Sequence, residues 1–213
     1  MSARSSLPRL GVALALVACG KDAPPKPEAD PAKFEALAKT IARNPPGFAG
    51  HRECTAADHA HPTMSIRTLL LIAKETPDTG PEREPWINVP ELDTPAARTL
   101  LESKDDKARR QAAAELLAAK AFMVYRIDAV AVPLALGMKE LKRGMLAMRA
   151  VGYDASGNLT CVKNLTIQPS KAKAEWAMKA SDRAEVSNEV ITELRKDLVE
   201  QMMIKLDAER ATP

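Results

Sequence analysis

Residues 121–168 constrain the fold of this chain more than any other stretch. They hold three apolar-rich segments, FMVYRIDAVAVPLAL, GMLAMRAVGYD and LTCVKNLTIQ, separated by a polar bend around Gly137 to Arg143 and by Ala155-Ser156-Gly157-Asn158. Connections this short return the chain as a neighbouring antiparallel strand, because a parallel crossover needs roughly a dozen residues or more. The stretch is therefore predicted to form a three-stranded antiparallel meander. In the third segment Leu159, Cys161, Leu165 and Ile167 are assigned to one face, and Thr160, Asn164, Thr166 and Gln168 to the other. Val162 and Lys163 interrupt the alternation, but Cys161 is expected to point into the core. In the first segment Arg126 and Asp128 lie in phase with Val130, Val132 and Leu134. A bulge near Asp128 reconciles them, and Pro133 suits a strand edge.

Helical patterns flank the meander. Asp30-Pro31 opens a helix, with Asp as N-cap and Pro at the first helical position, and Pro45-Pro46-Gly47 stops it. Its apolar face is Phe34, Leu37, Ala38 and Ile41. Thr63 to Lys74 suits either a helix capped by Thr63 or a buried strand, and the helix is preferred. Thr76 to Pro90, rich in proline and acids, reads as a surface loop with Trp86 and Ile87 folding back. Thr94-Pro95 opens another helix, and Asp105 to Lys120 continues as an alanine-rich one. A long helix over about Asp182 to Glu209 ends the pattern. Its stripe of Val186, Val190, Leu194, Leu198, Met202 and Leu206, widened by Ile191, Val199 and Met203, is expected to pack across the meander. The Met202-Met203-Ile204 run offers the alternative of a partner-binding helix. Together these elements predict an α+β fold.

The N-terminus carries an address. Arg4 and Arg9 precede an apolar run from Leu10 to Ala18, too short to cross a bilayer but long enough for the apolar region of a signal peptide. The run ends in Leu16-Val17-Ala18-Cys19, which resembles the lipobox of bacterial lipoproteins. The resemblance implies cleavage before Cys19, thioether lipidation of its sulfur and acylation of its new amino group. Each buried acyl methylene contributes about 0.8 kcal/mol, so several chains make a firm anchor. Residues 1–18 are then the signal peptide, 19–31 the lipidated cysteine with a proline-rich tether, and 32–213 a single α+β domain. The tether, at about 3 Å per residue, reaches roughly 30–40 Å from the membrane. Gly20 stands at the position where an aspartate, in familiar enterobacterial lipoproteins, signals inner-membrane retention. By that resemblance the expected location is the outer membrane, facing the periplasm.

Charge and motifs exclude several classes. The chain has 31 basic and 28 acidic residues, and both arginines of residues 1–18 belong to the signal. Residues 19–213 are nearly neutral, with no dense Lys/Arg run, which argues against nucleic acid as a partner. No phosphate-binding glycine loop and no GxSxG occur. Asp154-Ala-Ser156-Gly157-Asn158 begins like a calcium loop, but its glycine comes too early and Leu165 stands where the closing Glu belongs, so a hairpin turn is preferred. Asn158-Leu-Thr160 and Asn164-Leu-Thr166 match the glycosylation sequon, a modification unsuited to a bacterial lipoprotein.

All three histidines lie in HRECTAADHAH, residues 51–61. His51, His59 and His61, with Cys54 and Asp58 beside them, are groups that ligate zinc or copper. Their spacing, however, matches no established metal motif. The cysteine count offers a competing reading. With Cys19 lipidated as the resemblance implies, Cys54 and Cys161 remain, and an exported pair is expected to oxidise. A Cys54–Cys161 disulfide is therefore preferred, with no cofactor. The expected function is a non-enzymatic envelope lipoprotein, held to the membrane through Cys19, that binds a partner protein, such as another envelope protein, or a ligand, or scaffolds an envelope assembly. The alternatives are a metal-binding lipoprotein using His51, His59 and His61, and an enzyme of unrecognised type.

Overall fold

The computed structural model describes residues 25–45, 51–76, 90–131, 133–136, 140–181 and 188–211. Cys19, Trp86, Ile87 and Val186 lie outside them. The fold is a mixed α+β arrangement around a four-stranded sheet. Strands β2 (Ala121–Ala131), β5 (Met145–Asp154) and β6 (Leu159–Ile167) pair antiparallel, as the meander requires. The fourth strand, β1 (Thr63–Ser65), adds parallel to β2 with Met64 opposite Val124. The order is therefore β1-β2-β5-β6, and the sheet is mixed rather than purely antiparallel. Three residues are too few to show a period, which is why β1 leaves no mark in the sequence. Residues 63–74 satisfy both readings in turn. After β1, Ser65 rather than Thr63 caps helix α3 (Ile66–Ile72), accepting the Thr68 amide at 3.1 Å.

The first predicted strand divides. After β2, the end of that segment, β3 (Leu134–Leu136), forms a separate two-stranded ribbon with β4 (Glu140–Lys142), which lies within the stretch expected to be a polar bend. The bulge expected near Asp128 is present, since the register with β5 shifts between Ile127 and Ala129. A second irregularity, between Gly152 and Tyr153, corrects the face of Leu159. That residue sits opposite Tyr153 and packs on the other side of the sheet from Cys161.

Both faces of the sheet are covered. Helix α1 (Pro31–Ala42) starts where expected, with the Asp30 carboxylate accepting the Ala32 amide at 2.9 Å. Helices α4 (Pro95–Glu102) and α5 (Asp106–Leu117) also begin at their predicted caps. Phe34, Ala38 and Ile41 of α1 join Leu69, Leu100 and Leu116 over Phe122, Val124, Val151 and Tyr153. On the opposite face Met123, Tyr125, Ile127, Leu146, Met148, Cys161, Leu165 and Ile167 meet Leu198, Met202 and Leu206 of the last helix, α7 (Asn188–Ala211). The four-residue stripe therefore packs across the sheet, which accepts its slow winding because the strands are themselves twisted. Helix α6 (Lys171–Ser181) packs on α7 through Ala177 against Val190 and Leu194. None of the described helices is long and apolar enough to cross a membrane.

Candidate functional site

The histidine loop is built around a covalent tie. Cys54 and Cys161 form a disulfide with their Cα atoms 5.0 Å apart, joining positions 107 residues apart in sequence. Both cysteines are buried, and Cys161 faces inward from β6 as its strand parity predicts. On β5, Gly152 lies opposite Cys161, and a Cβ there would fall 2.5 Å from its Sγ. The missing side chain makes room for the sulfur. The Arg52 carbonyl accepts the Val162 amide at 3.0 Å, so the incoming segment lies along the outer edge of β6.

Beyond Cys54 the loop winds into a short helix, α2 (Ala56–His59). Its start is fixed by Asp58, whose carboxylate accepts the Thr55 amide at 2.7 Å and the Thr55 hydroxyl at 2.9 Å. The Arg52 guanidinium donates to both Asp58 oxygens, at 2.8 and 2.7 Å. That ion pair, with the Thr55 bonds, holds the Asp58 carboxyl well below the ordinary carboxylate range, against a partly opposing effect of burial. The carboxylate is thus committed to the loop's own geometry.

The turn of α2 sends the histidines in different directions. His51 is exposed and His61 half-buried, whereas His59 is 2% exposed. The His59 Nδ1 lies 3.1 Å from the Tyr125 hydroxyl, and the two rings stack with centroids 6.2 Å apart. Its Nε2 is buried without a hydrogen-bond partner. Burial lowers the His59 pKa and raises that of Tyr125; the nearby Arg210 guanidinium opposes part of the latter rise. The C-terminal turns of α7 lie above this pair, where Glu209 forms an ion pair with Lys163 of β6. Among the described residues, no group of three or more His, Cys, Asp and Glu side chains is placed to hold a metal ion. The structure does not gather His51, His59 and His61 into one ligand set.

Sequence reading did not pick out Tyr125 or Asp93 and saw Asp128 only as a parity conflict. Asp128 occupies the β2 bulge and receives the Arg149 guanidinium through Nε at 2.6 Å and through the adjacent terminal nitrogen. Arg126 lies 3.4 Å away on its other side. The conflict was the signal: a charged residue in phase with apolar ones marks the place where the strand slips to form a paired, half-buried carboxylate. Asp93 accepts the Ser65 amide and the Thr68 hydroxyl, both at 2.7 Å, and ties the segment ahead of α4 to the start of α3. Burial pushes its carboxyl pKa up against those bonds.

Around the start of α1, Glu28, Asp30, Glu35, Lys74, Arg109 and Arg110 line an open hollow of about 590 Å³. Its charges are of both signs, and Lys74 already pairs with Glu35 at 2.8 Å. The Ala29 amide donates to the Arg110 carbonyl at 3.0 Å, which seats the segment before α1 on α5. The chain matches no protein-family model, no curated protein and no solved structure.

Proposed function

We propose that this protein is a cell-envelope lipoprotein, anchored through Cys19, whose α+β body binds or scaffolds another envelope protein and performs no chemistry of its own. The anchor rests on the Arg4/Arg9, Leu10–Ala18 and LVAC sequence at residues 1–19. The observation that carries the reading furthest is the Cys54–Cys161 disulfide. Disulfides persist in exported proteins and are rare where thiols are kept reduced, so an oxidised pair agrees with export past the cytoplasmic membrane. The hydrophobic seam of α7 and the oxidised pair are features of a durable folded body.

The side chains of the histidine loop support the non-enzymatic reading because they serve the fold. Cys54 is in the disulfide, Asp58 holds Arg52 and Thr55, and His59 sits on Tyr125. A reactive cysteine or a poised acid would instead need an exposed thiolate or an uncommitted carboxylate. Cell fractionation tests the anchor. The wild-type protein should sediment with the outer membrane, and Cys19→Ala should leave the membrane fraction. A Cys19→Ala variant that stays there overturns the anchor. Crosslinking in intact cells followed by mass spectrometry tests the partner: one recurrent envelope protein supports a binding module, and its absence from repeated captures contradicts it.

A further inference from the structure

We propose that the C-terminal end of α7 is an acid-released strap, latched over the buried His59–Tyr125 pair and set free when His59 takes up a proton. The device is independent of the proposed anchor. It rests on the geometry of the latch and on how lightly the strap is held.

The latch tolerates only a neutral imidazole. Nδ1 is occupied by the Tyr125 hydroxyl at 3.1 Å, whereas Nε2 is buried with no partner. In either neutral tautomer one ring nitrogen is an acceptor and the other a donor, and the unpaired atom is an uncharged one. Protonation makes both nitrogens donors and puts a charge on a ring that is 2% exposed. The facing groups come from every element around it: Asp58 of α2, Tyr125 of β2, Lys163 of β6, and Asp207, Glu209 and Arg210 of α7, with Glu53 on the incoming segment. Asp58 and Glu209 favour an imidazolium, and Lys163 and Arg210 oppose it. Both acids are already bound, Asp58 by Arg52 and Glu209 by Lys163. Desolvation outweighs the charges and depresses the His59 pKa below its ordinary 6.5.

The strap is lightly held. Among residues 203–211 only Leu206 is fully buried, and Ile204 is 54% exposed. Its polar ties to the sheet include the Lys163–Glu209 ion pair, the Arg210 guanidinium beside Tyr125, and the Lys205 ammonium on the Thr166 carbonyl at 3.3 Å. Opening this end gives Nε2 access to water without breaking the disulfide or the rest of the α7 seam. Helix ends with few buried apolar contacts open at the low end of the free-energy scale. Because the closed form has the depressed pKa, it is fully favoured at and above neutral pH. Closure weakens as pH falls from the ordinary histidine value through the depressed one.

Amide hydrogen exchange on the full, oxidised protein, corrected for the intrinsic pH dependence of exchange, tests this. Between about pH 7.5 and pH 5, protection over residues 203–211 should fall about tenfold for each pH unit separating the open and closed values. Protection in β5 should hold. The His59 imidazole resonance of the wild-type protein should titrate at the pH where protection is lost. The response should survive in His51→Ala/His61→Ala and disappear in His59→Gln. Constant protection at 203–211, an equal loss in β5, or a His59 titration well separated from the loss would each overturn the proposal. The wild-type measurements decide it even where His59→Gln fails to fold.

Discussion

Gly152 shows how a single missing side chain sets the geometry of the covalent tie. A Cβ there would lie 2.5 Å from the Cys161 Sγ and 2.8 Å from the Thr160 Oγ1. A disulfide sulfur cannot rotate away, so strain has to be taken up by the strands. Gly152→Ala should destabilise the protein by about 1–3 kcal/mol in urea denaturation, the range for overpacked cores. An unchanged midpoint would mean the strands part more easily than this packing implies. Asp128 and Arg149 make a second test. The Arg149 side chain is only 10% exposed, and Asp128→Ala removes its bidentate partner. The single variant should lose about 2–3 kcal/mol, and a cycle with Arg149→Met should return a coupling of about 1–3 kcal/mol. Zero coupling would reduce the contact to surface decoration. Residue identity foretold the inward Cys161 and the bulge at Asp128. It did not foretell that His59 would reach Tyr125, a contact spanning 66 positions that depends on one turn of α2.

At the scale of elements, legibility follows the length of the repeat. Helix α7 repeats its apolar stripe over more than four turns, and Val190, Leu194, Leu198, Met202 and Leu206 are all buried. Helices α1, α4 and α5 start at Asp or Thr caps that hold no ambiguity. The elements that escape sequence reading are short or packed through small residues. Strand β1 has three residues, α2 has four, and α6 meets α7 through Ala177 while Trp176 and Met178 stay exposed. A helix with alanine inside and tryptophan outside inverts the pattern by which helices are recognised. The seam of α7 gives a graded prediction. Leu198→Ala, at 0% exposure, should cost about 2–5 kcal/mol in thermal or urea unfolding. Ile204→Ala, at 54% exposure, should stay within about 0.5 kcal/mol. Equal effects at the two sites would contradict the assigned face.

For the molecule as a whole, the disulfide links the segment between α1 and α2 to the edge strand β6. Closing a loop of this span contributes about 4–5 kcal/mol in the chain-entropy model, less any strain. Cys54→Ala/Cys161→Ala should therefore remain folded but lose a large fraction of the stability of the oxidised protein, measured by urea denaturation of both forms. A double variant as stable as the parent would show that the tie does not constrain the unfolded chain. The proposed anchor and the disulfide together predict one exported protein, and a single measurement reads both. It is the intact mass of protein extracted from bacterial membranes, denatured without reductant and treated with a thiol-alkylating reagent. The expected species is a chain beginning at Cys19 that carries lipid and takes up no alkyl label. A chain retaining residues 1–18, an unlipidated Cys19, or labels on Cys54 and Cys161 would contradict a lipid-anchored, oxidised protein.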